Sequence, residues 1–102
     1  MTTDASDVEV MQWDIALANL AREEYQKKGA PLTMEDFTRL ANEYHIRLDD
    51  IMITMFELVI HGEWSYVGEQ EITRNTLNEL YVNGRLHAKD LEVFKGGWSP
   101  VG

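Results

Sequence analysis

The chain has 102 residues and no cysteine, and its 18 acidic against 9 basic side chains give a formal charge of −9 at pH 7. Without cysteine, a disulfide scaffold, a thiolate metal site and a cysteine nucleophile are all excluded. Hydrophobic residues make up 44% of the chain, too many for a disordered acidic tail. No apolar run approaches the roughly 18 residues that a membrane span needs. We expect a small globular protein of the cytoplasm that does not bind membranes.

The length predicts a single domain over residues 1–102. Residues 1–6 are polar and are expected to be frayed. Residues 96–102 contain three glycines and a proline. Because these residues favour turns, we expect an irregular tail there.

The first predicted helix covers residues 7–28 and ends at Gly29, since Pro31 follows closely. Its apolar residues recur at helical spacing and should form one buried face. They are Trp13, Leu17, Leu20, Ala21 and Tyr25.

A second helix should begin after Thr33, an N-cap candidate with Asp36 three residues later as in a capping box. Leu32 and Phe37 occupy the positions of a hydrophobic staple. The expected buried face of this helix consists of Phe37, Leu40, Ala41 and Tyr44.

A third helix is predicted with Asp49 as its cap and with Leu48 and Ile53 as the staple. Residues 51–60 are apolar nearly all round, so a buried strand is the alternative, which the length and the cap disfavour. This is more apolar surface than one buried face needs. Residues 51–60 therefore belong either to the core or to an interface.

Residues 64–67 should form a short strand. Thr73 could cap a fourth helix that buries Leu77, Leu80 and Tyr81 and ends at Asn83. The competing possibility is a hairpin, because Asn-Gly is a strong type I′ turn signal. A further strand is expected over residues 91–94. The predicted fold class is mainly α, with three to four helices, a helix-turn-helix-like core and a small C-terminal β-hairpin.

Residues 37–54 resemble the helix-turn-helix family. The small residue at which the two helices cross is matched by Ala41. His45 stands where the turn usually has glycine, and Thr54 stands where an apolar residue is usual. The matching apolar positions are Leu40, Tyr44, Ile46 and Ile51. With a helix before this motif and a strand pair after it, the outline is similar to a winged helix, which implies DNA binding through the start of the third helix.

The charges around that helix oppose such a role. Its first residues include Asp49, Asp50 and Met52, and Arg47 is the cation nearby. Residues 32–63 carry 2 basic and 7 acidic side chains. Because phosphate contacts need cations, we interpret the motif as architecture and expect no direct, specific DNA contact from it.

No constellation of residues suggests catalysis, a cofactor or a metal. The three histidines, His45, His61 and His87, lack the spacing of metal ligands on a helix. Neighbouring carboxylates fall at predicted helix starts and on polar faces, where capping and solvation explain them. We therefore expect a protein that is not an enzyme and carries no cofactor.

The function predicted from these features is that of a small acidic protein-interaction module: an adaptor, an inhibitor or a regulatory subunit. It would bind a partner with a basic surface or form a homodimer. If the partner's basic surface is one that binds DNA, the module would act as a mimic of DNA. The residues predicted to contact the partner are Asp49, Asp50, Met52, Met55 and Phe56.

The alternative is a winged-helix transcription regulator that binds DNA through a basic C-terminal wing. From residue 84 onward the chain has three basic against two acidic side chains. The residues predicted for this role are Arg85, Lys89, Lys95 and Trp98.

Overall fold

The computed structural model describes residues 14–81 and 85–101. These residues form a mainly helical fold with a small two-stranded antiparallel sheet, which confirms the predicted fold class. The elements are α1 (Ile15–Lys28), α2 (Met34–Tyr44), α3 (Leu48–Ile60), β1 (Trp64–Val67), α4 (Arg74–Leu80), α5 (Ala88–Leu91) and β2 (Gly97–Pro100). The expectations for residues 1–13 and for the turn at residues 83 and 84 lie outside the described residues.

Helix α1 is capped at both ends. Oδ1 of Asp14 accepts hydrogen bonds from the backbone N–H groups of Ala16 at 2.8 Å and Leu17 at 3.2 Å. Gly29 ends the helix in the left-handed conformation, with φ 71°, as expected of a C-terminal glycine. Of the predicted buried face, Ala21 is buried, while Leu17, Leu20 and Tyr25 pack partly against the core.

Helix α2 begins at the predicted capping box, where the carboxylate of Asp36 accepts the backbone N–H of Thr33 at 2.8 Å. Phe37 and Leu40 are buried as predicted. Tyr44 is 49% exposed, contrary to prediction, because the buried part of the helix ends one turn earlier. His45 then turns the chain with φ 55° and ψ 44°, the left-handed conformation in which glycine is usual.

Helix α3 is the central element of the fold and contacts α1, α2, α4 and β1. It begins at Leu48, with Arg47 as its N-cap. The prediction that Asp49 caps the helix is therefore wrong, because Asp49 lies inside the first turn. Within the helix only Asp50 is exposed. The segment at 51–60 is thus a helix of the core, which explains why it is apolar on nearly every side.

The sheet joins segments that are far apart in the sequence. Tyr66 of β1 lies opposite Trp98 of β2, and Trp98 also exchanges two backbone hydrogen bonds of 2.9 Å with Leu32. The expected irregular tail at 96–102 is therefore wrong for Gly97–Pro100, because β1 and Leu32 supply backbone partners on both sides. A Cβ atom on Gly96 would lie 1.9 Å from the carbonyl oxygen of Val67, so only glycine fits this approach.

The strand expected over residues 91–94 is also absent, since Leu91 is the last residue of α5. Residues 68–96, which we call the connecting segment, lead from β1 to β2, and α4 within it packs on α3. Thr73 caps α4 as predicted, but Tyr81, predicted to be buried, follows the helix end and is 43% exposed. The apolar residues that this segment adds to the core are Ile72, Leu77, Leu86, Leu91 and Phe94. None of the helices in the described ranges is long and apolar enough to cross a membrane.

Candidate functional site

Two neighbouring carboxylates at the start of α3 have opposite environments. Asp49 is 9% exposed, and its Oδ2 accepts hydrogen bonds from Nε of Arg85 at 2.8 Å and Nη2 of Arg47 at 3.0 Å. Asp50, the next residue, is exposed and has no ion pair with any described residue. Asp49 is therefore an internal anchor of the fold, and only Asp50 of this pair is free to meet a partner.

The pKa of Asp49 reflects this anchoring. Burial acts to raise the pKa of its carboxyl, but the hydrogen bonds from Arg85, Arg47 and the backbone N–H of Leu86 outweigh burial and hold the pKa below the ordinary value of 3.8. The carboxylate thus stays ionised between two guanidinium groups. The predicted contact role of Asp49 is corrected to a structural one.

Three further residues of the predicted contact set lie in the core. Met52, Met55 and Phe56 each have 0% exposure, and the ring of Phe56 packs 5.1 Å from that of Phe94 in the connecting segment. The sequence did not decide whether this helix belongs to the core or to an interface. The structure decides for core, so these side chains cannot be reached by a partner in this fold.

The residues of the predicted basic wing do not share one environment. Arg85 is bound to Asp49. Trp98 is 0% exposed. The centroid of its ring lies 5.2 Å from the ring centroid of Phe37 and 4.4 Å from that of Tyr66. Lys89 and Lys95 are exposed. Among the four, only the two lysines can present an unpaired charge to a ligand.

The other end of α3 has a charged contact that sequence analysis missed. Glu57 is 5% exposed, and its two carboxylate oxygens accept hydrogen bonds from Nη1 and Nη2 of Arg74 at 2.7 Å each. His61 Nε2 lies 3.4 Å from the same carboxylate. A single acid inside an apolar run is itself a signal, because a buried carboxylate needs a partner. The sequence gives no way to choose that partner.

The surface charges that remain are mostly negative. Within the described ranges, the cations in ion pairs with carboxylates are Lys28, Arg39, Arg47, Arg74 and Arg85. The cations in no such pair are Arg22, Lys27, Lys89 and Lys95. Ten exposed carboxylates likewise have no ion pair there: Asp14, Glu23, Glu35, Asp50, Glu63, Glu69, Glu71, Glu79, Asp90 and Glu92. The unpaired surface charge is therefore strongly acidic.

Two of these carboxylates flank a groove of about 430 Å³ between the start of α1 and α3. We call it the acidic groove and define it by Asp14, Leu17, Ile46, Asp50 and Ile53. Ala16 and Thr54 also line it, and among the described residues no lysine or arginine does so. Oδ1 of Asp14 is used in capping α1, whereas its Oδ2 and both carboxylate oxygens of Asp50 have no hydrogen bond to a described residue. These oxygens are available to a cation from outside.

A larger groove of about 730 Å³ lies between α2 and the end of α5. Its apolar lining includes Met34 and Leu48, but its charged lining residues are of both signs, Glu35 and Glu92 with Lys95. This groove therefore has a weaker preference for the charge of a ligand. In the described ranges, no group of three or more histidine or acidic side chains is placed to hold a metal ion.

Comparisons of the chain with protein-family models, with curated proteins and with solved structures gave no match.

Proposed function

We propose that this protein is a small acidic interaction module that binds a partner protein with a basic surface and acts by binding alone. The observation that carries the proposal is the imbalance of unpaired surface charge: ten exposed carboxylates against four cations in the described ranges. Such a surface repels nucleic acid, and it steers and orients a cationic protein. An adaptor, a regulatory subunit or an inhibitor that occupies a nucleic-acid-binding surface would act in this way.

The charge also bears on the choice between a different protein and a second copy as partner. A net charge of −9 makes two copies repel each other at moderate salt. The apolar residues that favoured a homodimer are in the core. A basic protein of different sequence is therefore a better-supported partner than a second copy. Asp50 is the residue of the predicted contact set that we still expect to contact it.

Affinity capture with a charge-reversal variant tests this proposal. Wild-type protein, Asp50→Lys and the control Glu79→Lys are immobilised and exposed to extract from the source cells. We expect basic proteins to be retained by the wild type and the control, released by added salt, and lost from Asp50→Lys. Retention that neither salt nor Asp50→Lys reduces would contradict the proposal. Asp49 is left unchanged, because reversing its charge would disrupt two internal ion pairs.

A winged-helix DNA-binding regulator is the second candidate. The observation that favours it is the arrangement of the chain: α1, the bridge at Leu32, α2 and α3 with a left-handed turn between them, then β1 and β2. A recognition helix needs an exposed face for the major groove. Because α3 exposes only Asp50 and is covered by the connecting segment, DNA contacts would have to come from Lys89 and Lys95.

A further inference from the structure

We propose that the acidic groove is the docking site for an arginine side chain that the basic partner presents next to an apolar residue. This inference rests on the proposed function and adds to it the site and the chemistry of the partner. The groove combines an apolar floor with two carboxylates, and none of the described residues that line it is basic. Its shape and its charge thus favour the same kind of occupant.

The lining matches the two parts of an arginine side chain. Leu17, Ile46 and Ile53 are partly buried members of the core cluster, so their exposed portions form an apolar floor for an aliphatic stem. Asp14 and Asp50 are exposed and provide acceptors for the charged head. Long cationic side chains bind in this way, with the stem on apolar surface and the head in a polar setting.

The chemistry of the head group favours arginine over lysine. A guanidinium group is less strongly hydrated than an ammonium group and carries five donors in a planar fork. Its fork can donate to more than one carboxylate, and the acceptors we assign to it are Oδ2 of Asp14, the N-cap of α1, and the carboxylate of Asp50 in α3. A volume of about 430 Å³ also leaves room for a neighbouring apolar side chain, within the roughly 300–1,000 Å³ of common binding clefts.

A peptide titration followed by NMR tests the groove directly. The probe is the blocked tripeptide acetyl-Leu-Arg-Leu-amide, added to ¹⁵N-labelled protein, and the same peptide with citrulline in place of arginine serves as the neutral control. We expect saturable shifts of the backbone amides of Ala16, Leu17, Ile46 and Ile53. The citrulline peptide should produce much smaller shifts at the same concentration.

Matched variants separate the groove from the general surface charge. The double variant Asp14→Asn with Asp50→Asn removes both charges but keeps an N-cap acceptor at position 14, since asparagine caps helices as well as aspartate does. The control double variant Glu23→Gln with Glu79→Gln removes two unpaired charges outside the groove. We expect the asparagine double variant to weaken the affinity for the arginine peptide about fivefold to tenfold. The glutamine control should change this affinity less than twofold.

The outcomes distinguish this inference from the proposed function. Amide shifts that are confined to the groove and that diminish in the double variant Asp14→Asn with Asp50→Asn support the docking site. Shifts spread over the acidic surface and weakened equally by both double variants would overturn the docking site while leaving an acidic interaction module in place. Absence of any peptide binding would overturn the docking site as well, and the capture experiment would then decide on the module by itself.

Discussion

Arg74 at the start of α4 holds the buried carboxylate of Glu57 in the last two turns of α3 with two parallel hydrogen bonds of 2.7 Å. Asp49, eight residues earlier in the same helix, is bound by Arg85 from the same connecting segment. The two contacts tie this segment to both ends of the central helix. They explain why α3 can carry two buried acids in a largely apolar core.

Replacing Arg74 should therefore destabilise the fold. In Arg74→Ala, Glu57 keeps its burial but loses both guanidinium hydrogen bonds, and we expect a loss of about 2 kcal/mol in the free energy of unfolding. Arg22→Ala, which removes an exposed cation with no ion pair in the described ranges, should change this free energy by less than about 0.5 kcal/mol. Urea denaturation monitored by circular dichroism measures both. Equal effects of the two substitutions would show that the Arg74–Glu57 contact is not structural.

The stability of the protein should fall on acidification, in part through Asp49. Its folded-state pKa lies below the ordinary value of 3.8, so its ionised carboxylate stabilises the fold above about pH 4, and this stabilisation is lost as the pH falls through the folded-state pKa. The pKa of Asp36 is lowered as well: burial opposes the shift, and hydrogen bonds from Lys28 and Thr33 outweigh it. The ionised carboxylate of Asp36 therefore also stabilises the fold above about pH 4, and this stabilisation is likewise lost on acidification.

The variant Asp49→Asn isolates this effect. At pH 7 we expect it to be less stable than the wild type by about 1–3 kcal/mol, because charge-assisted hydrogen bonds are lost. The difference should shrink as the pH is lowered from 5 to 3. Thermal unfolding of both proteins across this range is the measurement. A difference that stays constant with pH would mean that Asp49 is not bound as an ion in the folded state.

Phe56 separates the core assignment of α3 from the interface that its sequence also permitted. Phe56→Ala should lower the free energy of unfolding by about 3–5 kcal/mol, because it opens a cavity beside Phe94. Val93→Ala, at a side chain that is 50% exposed, should have an effect below about 0.5 kcal/mol. An unchanged stability of Phe56→Ala together with a loss of self-association in sedimentation experiments would instead indicate an interface.

The turn between α2 and α3 gives a prediction of increased stability. His45 has φ 55°, a conformation that a side chain disfavours and glycine tolerates. We expect His45→Gly to raise the free energy of unfolding by about 0.5–1 kcal/mol. His87→Gly is the control, because His87 has φ −86° and glycine relieves no strain there. If both variants lost stability by similar amounts, the left-handed turn would be contradicted.

Local signals in the sequence predicted much of the helical framework. The capping box of Thr33 with Asp36, the glycine after Lys28 and the cap at Thr73 each depend on residues within a few positions of one another. The position of His45, where the helix-turn-helix family usually has glycine, was also a local signal, and the structure shows a positive φ there. These elements were found because their causes are short-range.

The features that were missed depend on distant partners. Gly97–Pro100 becomes a strand only because β1 and Leu32 lie beside it. The role of Asp49 is set by Arg85, 36 residues away, and that of Glu57 by Arg74, 17 residues away. Of the predicted contact residues, only Asp50 remains on the surface. The acidic groove also needs Asp14, which falls inside the helix predicted over residues 7–28 and which the structure shows as the N-cap of α1.

The proposed function requires that the protein recognises a basic protein surface and not DNA. Parallel fluorescence anisotropy titrations with a labelled random DNA duplex and a labelled peptide of alternating arginine and leucine test it most directly, at low and at near-physiological salt. We predict that the peptide binds, more weakly as salt is added, and that the duplex does not bind even at low salt, where electrostatic attraction is strongest. Salt-sensitive duplex binding that is lost in the double variant Lys89→Ala with Lys95→Ala would contradict the account and favour the DNA-binding regulator.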